Sequence, residues 1–127
     1  MIELHVHSPA VPSIDLLDLP GLKLSPGPND APDMPQQVEA LVRAQIERHR
    51  ESSVFLVTTD ANTKAEQCLG MKLIGEYGLQ ARTIGVLTKC DDVGRQRMRA
   101  LPARLQQTDN GMRLQPHGYV ATVTAPL

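Results

Sequence analysis

Two short apolar runs constrain this chain more than any other feature, and each is followed by a four-residue motif, or tetrad, that contains an aspartate. The first run is residues 14–17, followed by Asp-Leu-Pro-Gly at 18–21. The second is residues 82–87, followed by Thr-Lys-Cys-Asp at 88–91. Short apolar runs bounded by turn residues predict buried strands. In α/β folds, ligands bind beyond the carboxyl ends of parallel strands, so both tetrads lie where a ligand site is expected.

The rest of the hydrophobic pattern switches between strand and helix periods. Residues 2–6 alternate apolar and polar side chains, which predicts a half-buried strand pairing antiparallel with residues 14–17. The segment from Gly21 to Pro35 is rich in proline and is predicted to be a loop. Strands are predicted over 54–58, 83–88 and 119–123, and helices over 36–50, 64–77 and 94–107. This order predicts an α/β fold with a mainly parallel sheet and one antiparallel hairpin.

Composition excludes several classes of function. The chain has 127 residues, which suits one domain, and its 13 Lys and Arg nearly balance 14 Asp and Glu. With one Phe, two Tyr and no Trp, it lacks stacking platforms for single strands, so no nucleic-acid partner is expected. No run approaches the roughly 18 apolar residues of a spanning helix. The two cysteines lack metal-ligand spacing, and a reducing cytoplasmic setting is the expectation.

The residue types in the two tetrads suit a nucleotide. Asp18 is predicted to hold Mg²⁺ through a water, and Gly21 allows its backbone N–H to approach a phosphate oxygen. The Asp91 carboxylate can accept two hydrogen bonds from the ring N–H and amino group of guanine, while the Lys89 stem lies across the base. Thr88, Lys89 and Asp91 are therefore the predicted guanine-binding residues.

Two other interpretations stay open. Each tetrad alone also arises by chance at an ordinary strand-to-turn transition, so an unrelated α/β binding domain with accidental motifs is one alternative. A degenerate, non-catalytic interaction module is the second. The conjunction of both tetrads, each after a predicted strand and separated by a helix-strand-helix, favours a nucleotide site over either alternative.

At these residues the chain resembles the large GTPases of the dynamin superfamily. Residues 18–21 match the Asp-Leu-Pro-Gly of the phosphate-sensing loop, and residues 82–91 are the stretch most similar to the family. Further similarity covers residues 2–9, 33–43 and 118–120. The resemblance implies a P-loop GTPase-like three-layer sandwich, with residues 1–127 forming its middle section. It also implies GTP and Mg²⁺ as ligands, GTP hydrolysis, and a family role in membrane remodelling.

Departures from the family limit that implication. The chain contains no G-x-x-x-x-G-K-[ST], so the phosphate cradle, the first switch and the first central strand are expected upstream of Met1. We therefore expect a fragment or truncated product that is not catalytically competent alone. Thr124-Ala125-Pro126 replaces the family's nucleotide-contacting Asn-Arg-Ser.

Partner expectations follow from the same departures. Lys64 stands where the family has an acidic residue in its dimerisation loop, so self-association of GTPase domains is not inferred. Membrane contact would need family parts that this sequence does not contain. The expected location is cytoplasmic, or peripheral to membranes or microtubules in the full-length family member.

Three further groups of side chains are weaker candidates. His5 and His7 share a spacing that two metal ligands can use, but no third ligand is near in sequence, so solvent-facing histidines are expected. Four arginines in the third predicted helix, at 95, 97, 99 and 104, are interpreted as a solvated face. Cys68 and Cys90 are interpreted as packing residues or as chance occurrences.

Overall fold

A computed structural model describes residues 3–124, which contain a three-stranded, entirely parallel sheet in the order β1-β2-β3. The α/β class predicted from the sequence is confirmed. Two short 3₁₀ turns, Ala65–Gln67 and Gln80–Arg82, precede a helix and a strand respectively. The main elements are α1 Met34–His49, β1 Phe55–Asp60, α2 Leu69–Tyr77, β2 Thr83–Thr88, α3 Arg95–Leu105 and β3 Tyr119–Ala121.

The sheet register depends on one glycine in its central strand. Val57 of β1 pairs with Gly85 of β2, which in turn pairs with Tyr119 of β3. A Cβ atom on Gly85 would clash with Cδ1 of Tyr119. The tyrosine ring therefore lies across β2 in space that any larger residue at position 85 would occupy.

All three helices lie on one face of this sheet. The larger core cluster joins α1 and α2 to Phe55 and Val57 of β1, and a smaller cluster joins Leu101 of α3 to Leu87 and Tyr119. The register places Val57, Gly85 and Tyr119 on the same face. Two successive crossovers of the same hand, moving in one direction across the sheet, place their helices on the same side.

The opposite face of the sheet is apolar and open. Leu56 is 61% exposed and Val120 is 46% exposed, with Ile84 and Val86 partly exposed between them. No helix within residues 3–124 covers these side chains. Since parallel sheets are normally buried on both faces, this surface is unusual for an α/β unit.

Helices α1 and α3 start and end within two residues of their predicted bounds, whereas α2 begins at Leu69, five residues after the predicted start at residue 64. Helix α2 ends at Gly78, which has φ 66° and donates its N–H to the carbonyls of Gly75 and Ile74. A glycine adopts this left-handed conformation without steric cost. Helix α3 continues through Pro102. Within residues 3–124, no helix is both long enough and apolar enough to cross a bilayer.

The predicted antiparallel hairpin is wrong for the residues described. Residues 3–33 contain no strand, and Leu4, Ile14 and Leu16 are 87%, 65% and 84% exposed; Ile2 lies outside the described residues. An isolated two-stranded hairpin is marginal in water, and alternating side chains stabilise a strand only when a neighbour buries one face. In this segment, Leu19 and Leu22 are the apolar side chains that pack against the α1–α2 cluster.

Candidate functional site

The candidate site lies at the carboxyl edge of the sheet, where β2 ends between two neighbouring strands. Thr88 is the last residue of β2, and its hydroxyl donates to the Thr59 carbonyl of β1 at 3.3 Å. The Thr88 carbonyl accepts the Ala61 N–H at 2.9 Å. These bonds fix the start of the loop formed by residues 88–91, which we call the TKCD loop.

Side chains of the TKCD loop point in two directions. Lys89 has φ 55°, in the left-handed region that L residues rarely adopt, and this turns the chain sharply after β2. Cys90 is buried: its N–H donates to the Thr122 carbonyl at 3.2 Å, and its thiol donates to the Leu87 carbonyl at 3.4 Å. Lys89 and Asp91 are exposed. The packing interpretation of Cys90 is confirmed, and two charged groups remain available to a ligand.

Asp60, the last residue of β1, and Asn62, two residues later, contact the TKCD loop and the residue after it. The Asp60 carboxylate lies 3.6 Å from the Lys89 ammonium nitrogen. The Asn62 side-chain amide donates to Asp60 Oδ1 at 3.1 Å and to the Asp92 carbonyl at 2.9 Å. One asparagine therefore links the segment after β1 to the segment after β2.

Hydrogen bonding keeps the Asp60 carboxyl ionised. The backbone N–H of Asn62 is the main cause of a lowered Asp60 pKa, with smaller contributions from the Asn62 side chain and from Lys89. Hydrogen bonds to the charged form and a nearby cation both favour the carboxylate. The negative charge beside Lys89 is thus retained in mildly acidic conditions.

Sequence reasoning missed Asp60 and Asn62 as site residues. The available signal was Asp60-Ala61-Asn62 directly after a predicted strand, because Asp and Asn bind backbone groups where a strand becomes a turn. Their contacts with Lys89 and Asp92 depend on the parallel pairing of β1 with β2. That pairing brings together residues about 30 positions apart.

The other predicted segment, residues 18–21, has a different setting. Asp18 and Gly21 lie on an irregular, exposed stretch, and a Cβ atom on Gly21 would meet nothing within 4 Å. Leu19 anchors the segment to the α1–α2 cluster rather than to the α3 cluster beneath the TKCD loop. No hydrogen bond or ion pair between described residues joins the two segments.

Other sequence candidates can also be located. His5 and His7 are exposed, as expected, with ring centroids 6.5 Å apart. Within residues 3–124, no group of three or more His, Cys, Asp or Glu side chains could hold a metal ion. Of the four arginines of α3, Arg95 and Arg99 are exposed, whereas Arg104 is only 7% exposed. The solvated-face interpretation is therefore wrong for Arg104.

Most of the chain is similar in sequence to one group of known proteins. No family model matches the chain. It is 37% identical over 92 residues to the interferon-induced GTP-binding protein Mx1 of Bos taurus and 40% identical over 91 residues to human dynamin-2. It is also 34% identical over 107 residues to dynamin-A of Dictyostelium discoideum.

These similarities cover much of the chain and little of the relatives. The matches include 72%, 71% and 82% of the chain for Mx1, dynamin-2 and dynamin-A, but 14%, 10% and 12% of those proteins. The chain thus corresponds to one segment of much longer proteins.

Proposed function

Because the chain belongs to the dynamin superfamily, we propose that the TKCD loop is the guanine-binding loop of a dynamin-type GTPase domain. The observation that carries this proposal is the arrangement at the end of β2. Cys90 is buried, so Lys89 and Asp91 flank it as exposed groups, while Thr88 is bonded to β1. Spacing, direction of the side chains and position at a strand end all suit one planar base.

In this proposal each charged group of the loop has a defined task. The Asp91 carboxylate accepts hydrogen bonds from the ring N–H and the exocyclic amino group of guanine. Adenine presents no such pair of donors at the same edge, so Asp91 supplies the specificity. The Lys89 ammonium is held near Asp60, and its methylene stem covers one face of the base.

We assign the phosphate end to residues 18–21. Gly21 would present its backbone N–H to a phosphate oxygen, and the open space around this glycine supports a close approach. Asp18 would hold Mg²⁺ through a water. A single carboxylate fits this role, since Mg²⁺ keeps several waters and takes other ligands from phosphate. Bound Mg²⁺ would neutralise charge on the transferred phosphoryl group.

GTP hydrolysis is proposed for a longer protein that includes this segment. The 127 residues contain no G-x-x-x-x-G-K-[ST] cradle, so these residues alone would bind GTP weakly and not hydrolyse it. The open apolar sheet face, with Leu56 61% exposed, supports burial by further parts of a domain. Family roles in membrane remodelling, and peripheral membrane location, are likewise proposals for the longer protein.

Self-association through the segment after β1 is not included in this proposal. Lys64 is exposed at the position where the family has an acidic residue. A positive charge there reverses the local electrostatics that a matching partner surface would need.

The proposal is tested by titrating fluorescent GTP, with and without Mg²⁺, into this chain and into a longer version that supplies the cradle. Tight binding is expected only in the longer version. There, Asp91→Asn should remove the preference for guanine over adenine nucleotides, because an amide cannot accept both hydrogen bonds. Asp92→Asn, which changes an adjacent exposed carboxylate, is the matched control and should keep the preference.

The possible failures point to different alternatives. Unchanged guanine preference in Asp91→Asn would mean that the tetrad is accidental. Absence of nucleotide binding in the longer version would favour the degenerate interaction module.

A further inference from the structure

The backbone of the TKCD loop is bonded on both sides of Asp91. Before it, the Cys90 N–H donates to the Thr122 carbonyl at 3.2 Å. After it, the Asp92 N–H donates to the Lys89 carbonyl at 3.0 Å, which closes a turn around Cys90 and Asp91. The Asp91 side chain is exposed on this turn. Its carboxylate is therefore positioned by the backbone, and its oxygens remain available to a ligand.

One side chain ties this turn to β1. The Asn62 side-chain amide donates to the Asp92 carbonyl at 2.9 Å and to Asp60 Oδ1 at 3.1 Å. Asp92 directly follows Asp91, so the first of these bonds fixes the chain on the far side of the Asp91 carboxylate. Without Asn62, that side of the turn keeps only the local bond between Asp92 and Lys89. Asn62 is itself exposed, so its removal affects the turn rather than the core.

Asn62 also fixes the carboxylate that faces Lys89. Asp60 Oδ1 accepts the backbone N–H of Asn62 at 2.9 Å as well as its side-chain amide. The other oxygen, Oδ2, lies 3.6 Å from the Lys89 ammonium nitrogen. An exposed ion pair between two mobile side chains orients neither of them well. Here the carboxylate is held by two hydrogen bonds, so it gives the lysine a fixed partner.

We propose that Asn62 is a positioning residue for guanine selectivity, because it holds Asp91 through the Asp92 carbonyl and Lys89 through Asp60. This inference rests on the proposed function, since it concerns the same base. Groups that are already in place lose less conformational freedom when a ligand binds. Hydrogen bonds to the base also weaken steeply when the acceptor is misaligned. Asn62 therefore favours guanine without contacting the base itself.

The test measures the affinities of guanosine diphosphate (GDP) and inosine diphosphate (IDP) by competition with fluorescent GTP, in the longer version that supplies the cradle. IDP lacks only the exocyclic amino group that Asp91 is proposed to bind. Asn62→Ala should weaken GDP binding by about three- to tenfold and IDP binding by less, so the preference for GDP narrows. Asn62→Asp keeps the shape but loses the N–H donors, and it should narrow the preference in the same way. Asn110→Ala changes an exposed asparagine outside this network and should keep the parent preference.

A double-mutant cycle with Asp91→Asn separates positioning from a general structural role. If Asn62 acts through Asp91, adding Asn62→Ala to Asp91→Asn should change the ratio of GDP to IDP affinity no further. Equal losses of GDP and IDP binding in Asn62→Ala would overturn the inference, as would a further change of that ratio in the double variant. In either case Asp91→Asn alone would still narrow the preference, and the proposed function would stand. If Asp91→Asn alone keeps the parent ratio, the proposed function fails and this inference fails with it.

Discussion

The two tetrads of this chain follow similar apolar runs, yet the structure holds them very differently. The TKCD loop follows β2, which is hydrogen-bonded on both sides to β1 and β3, and Leu87 just before it is 1% exposed. Residues 18–21 follow a run that forms no strand, in which Leu16 is 84% exposed. An apolar run thus becomes a strand only where neighbouring strands can pair with it.

The largest difference is expected from truncating the apolar side chain in each run. Leu87→Ala removes a fully buried side chain beneath the TKCD loop and should lower the free energy of unfolding by about 2–5 kcal/mol. Leu16→Ala is the matched change in the exposed run and should stay within about 0.5 kcal/mol. Urea unfolding of the chain measures both, and equal costs would contradict the contrast between the two runs.

Gly85→Ala should cost about 1–3 kcal/mol of unfolding free energy through overpacking. The new Cβ would clash with the Tyr119 ring, so β3 would have to move away from β2. Gly94→Ala is the control, because a Cβ there meets nothing within 4 Å. If Gly85→Ala and the parent chain unfold at the same urea concentration, the packing of Tyr119 against β2 does not require glycine at position 85.

Much of the α/β core follows from sequence patterns that are local. Strand β2 occupies residues 83–88, as predicted, and Gly78 ends α2, because both signals depend on a few adjacent residues. The hairpin prediction failed because Ile14 and Leu16 can be buried only against a neighbouring strand or helix, and no local sequence pattern specifies one. Membership of the dynamin superfamily was also predicted, from the paired tetrads.

Contacts between separate loops could not be predicted from the sequence. Cys90 points inward and Arg104 is buried because α3 and β3 pack around Leu87 and Tyr119, which no spacing along the chain reveals. The roles of Asp18, Gly21, Thr88, Lys89 and Asp91 in nucleotide binding stay predictions.

Asn62→Ala should loosen the TKCD loop with little effect on the sheet. It removes the bonds from the side-chain amide to Asp60 and to the Asp92 carbonyl, and one exposed hydrogen bond contributes about 0.5–1.5 kcal/mol. Asn29→Ala changes an exposed asparagine of the irregular segment and serves as the control. Amide hydrogen exchange should accelerate at residues 89–92 in Asn62→Ala alone; protection that stays unchanged would mean that β2 and β3 suffice to hold the loop.

The smallest expected effect is the pH dependence that Asp60 gives to the TKCD loop. Because hydrogen bonding to Asn62 lowers the folded-state pKa of Asp60, its contribution is present above the unfolded value near 3.8 and is lost as pH falls through the folded value. In Asp60→Asn, the free energy of unfolding should therefore fall less steeply than in the parent chain as the pH drops below about 4. Asp15→Asn, which changes a carboxylate of the exposed segment, should leave this pH dependence unchanged. The same titration can be followed by NMR, because Asp60 contacts Lys89. The Lys89 side-chain signals should shift with pH in the parent chain and stay unchanged in Asp60→Asn. That result would link the charge at the end of β1 to the orientation of the lysine that follows β2.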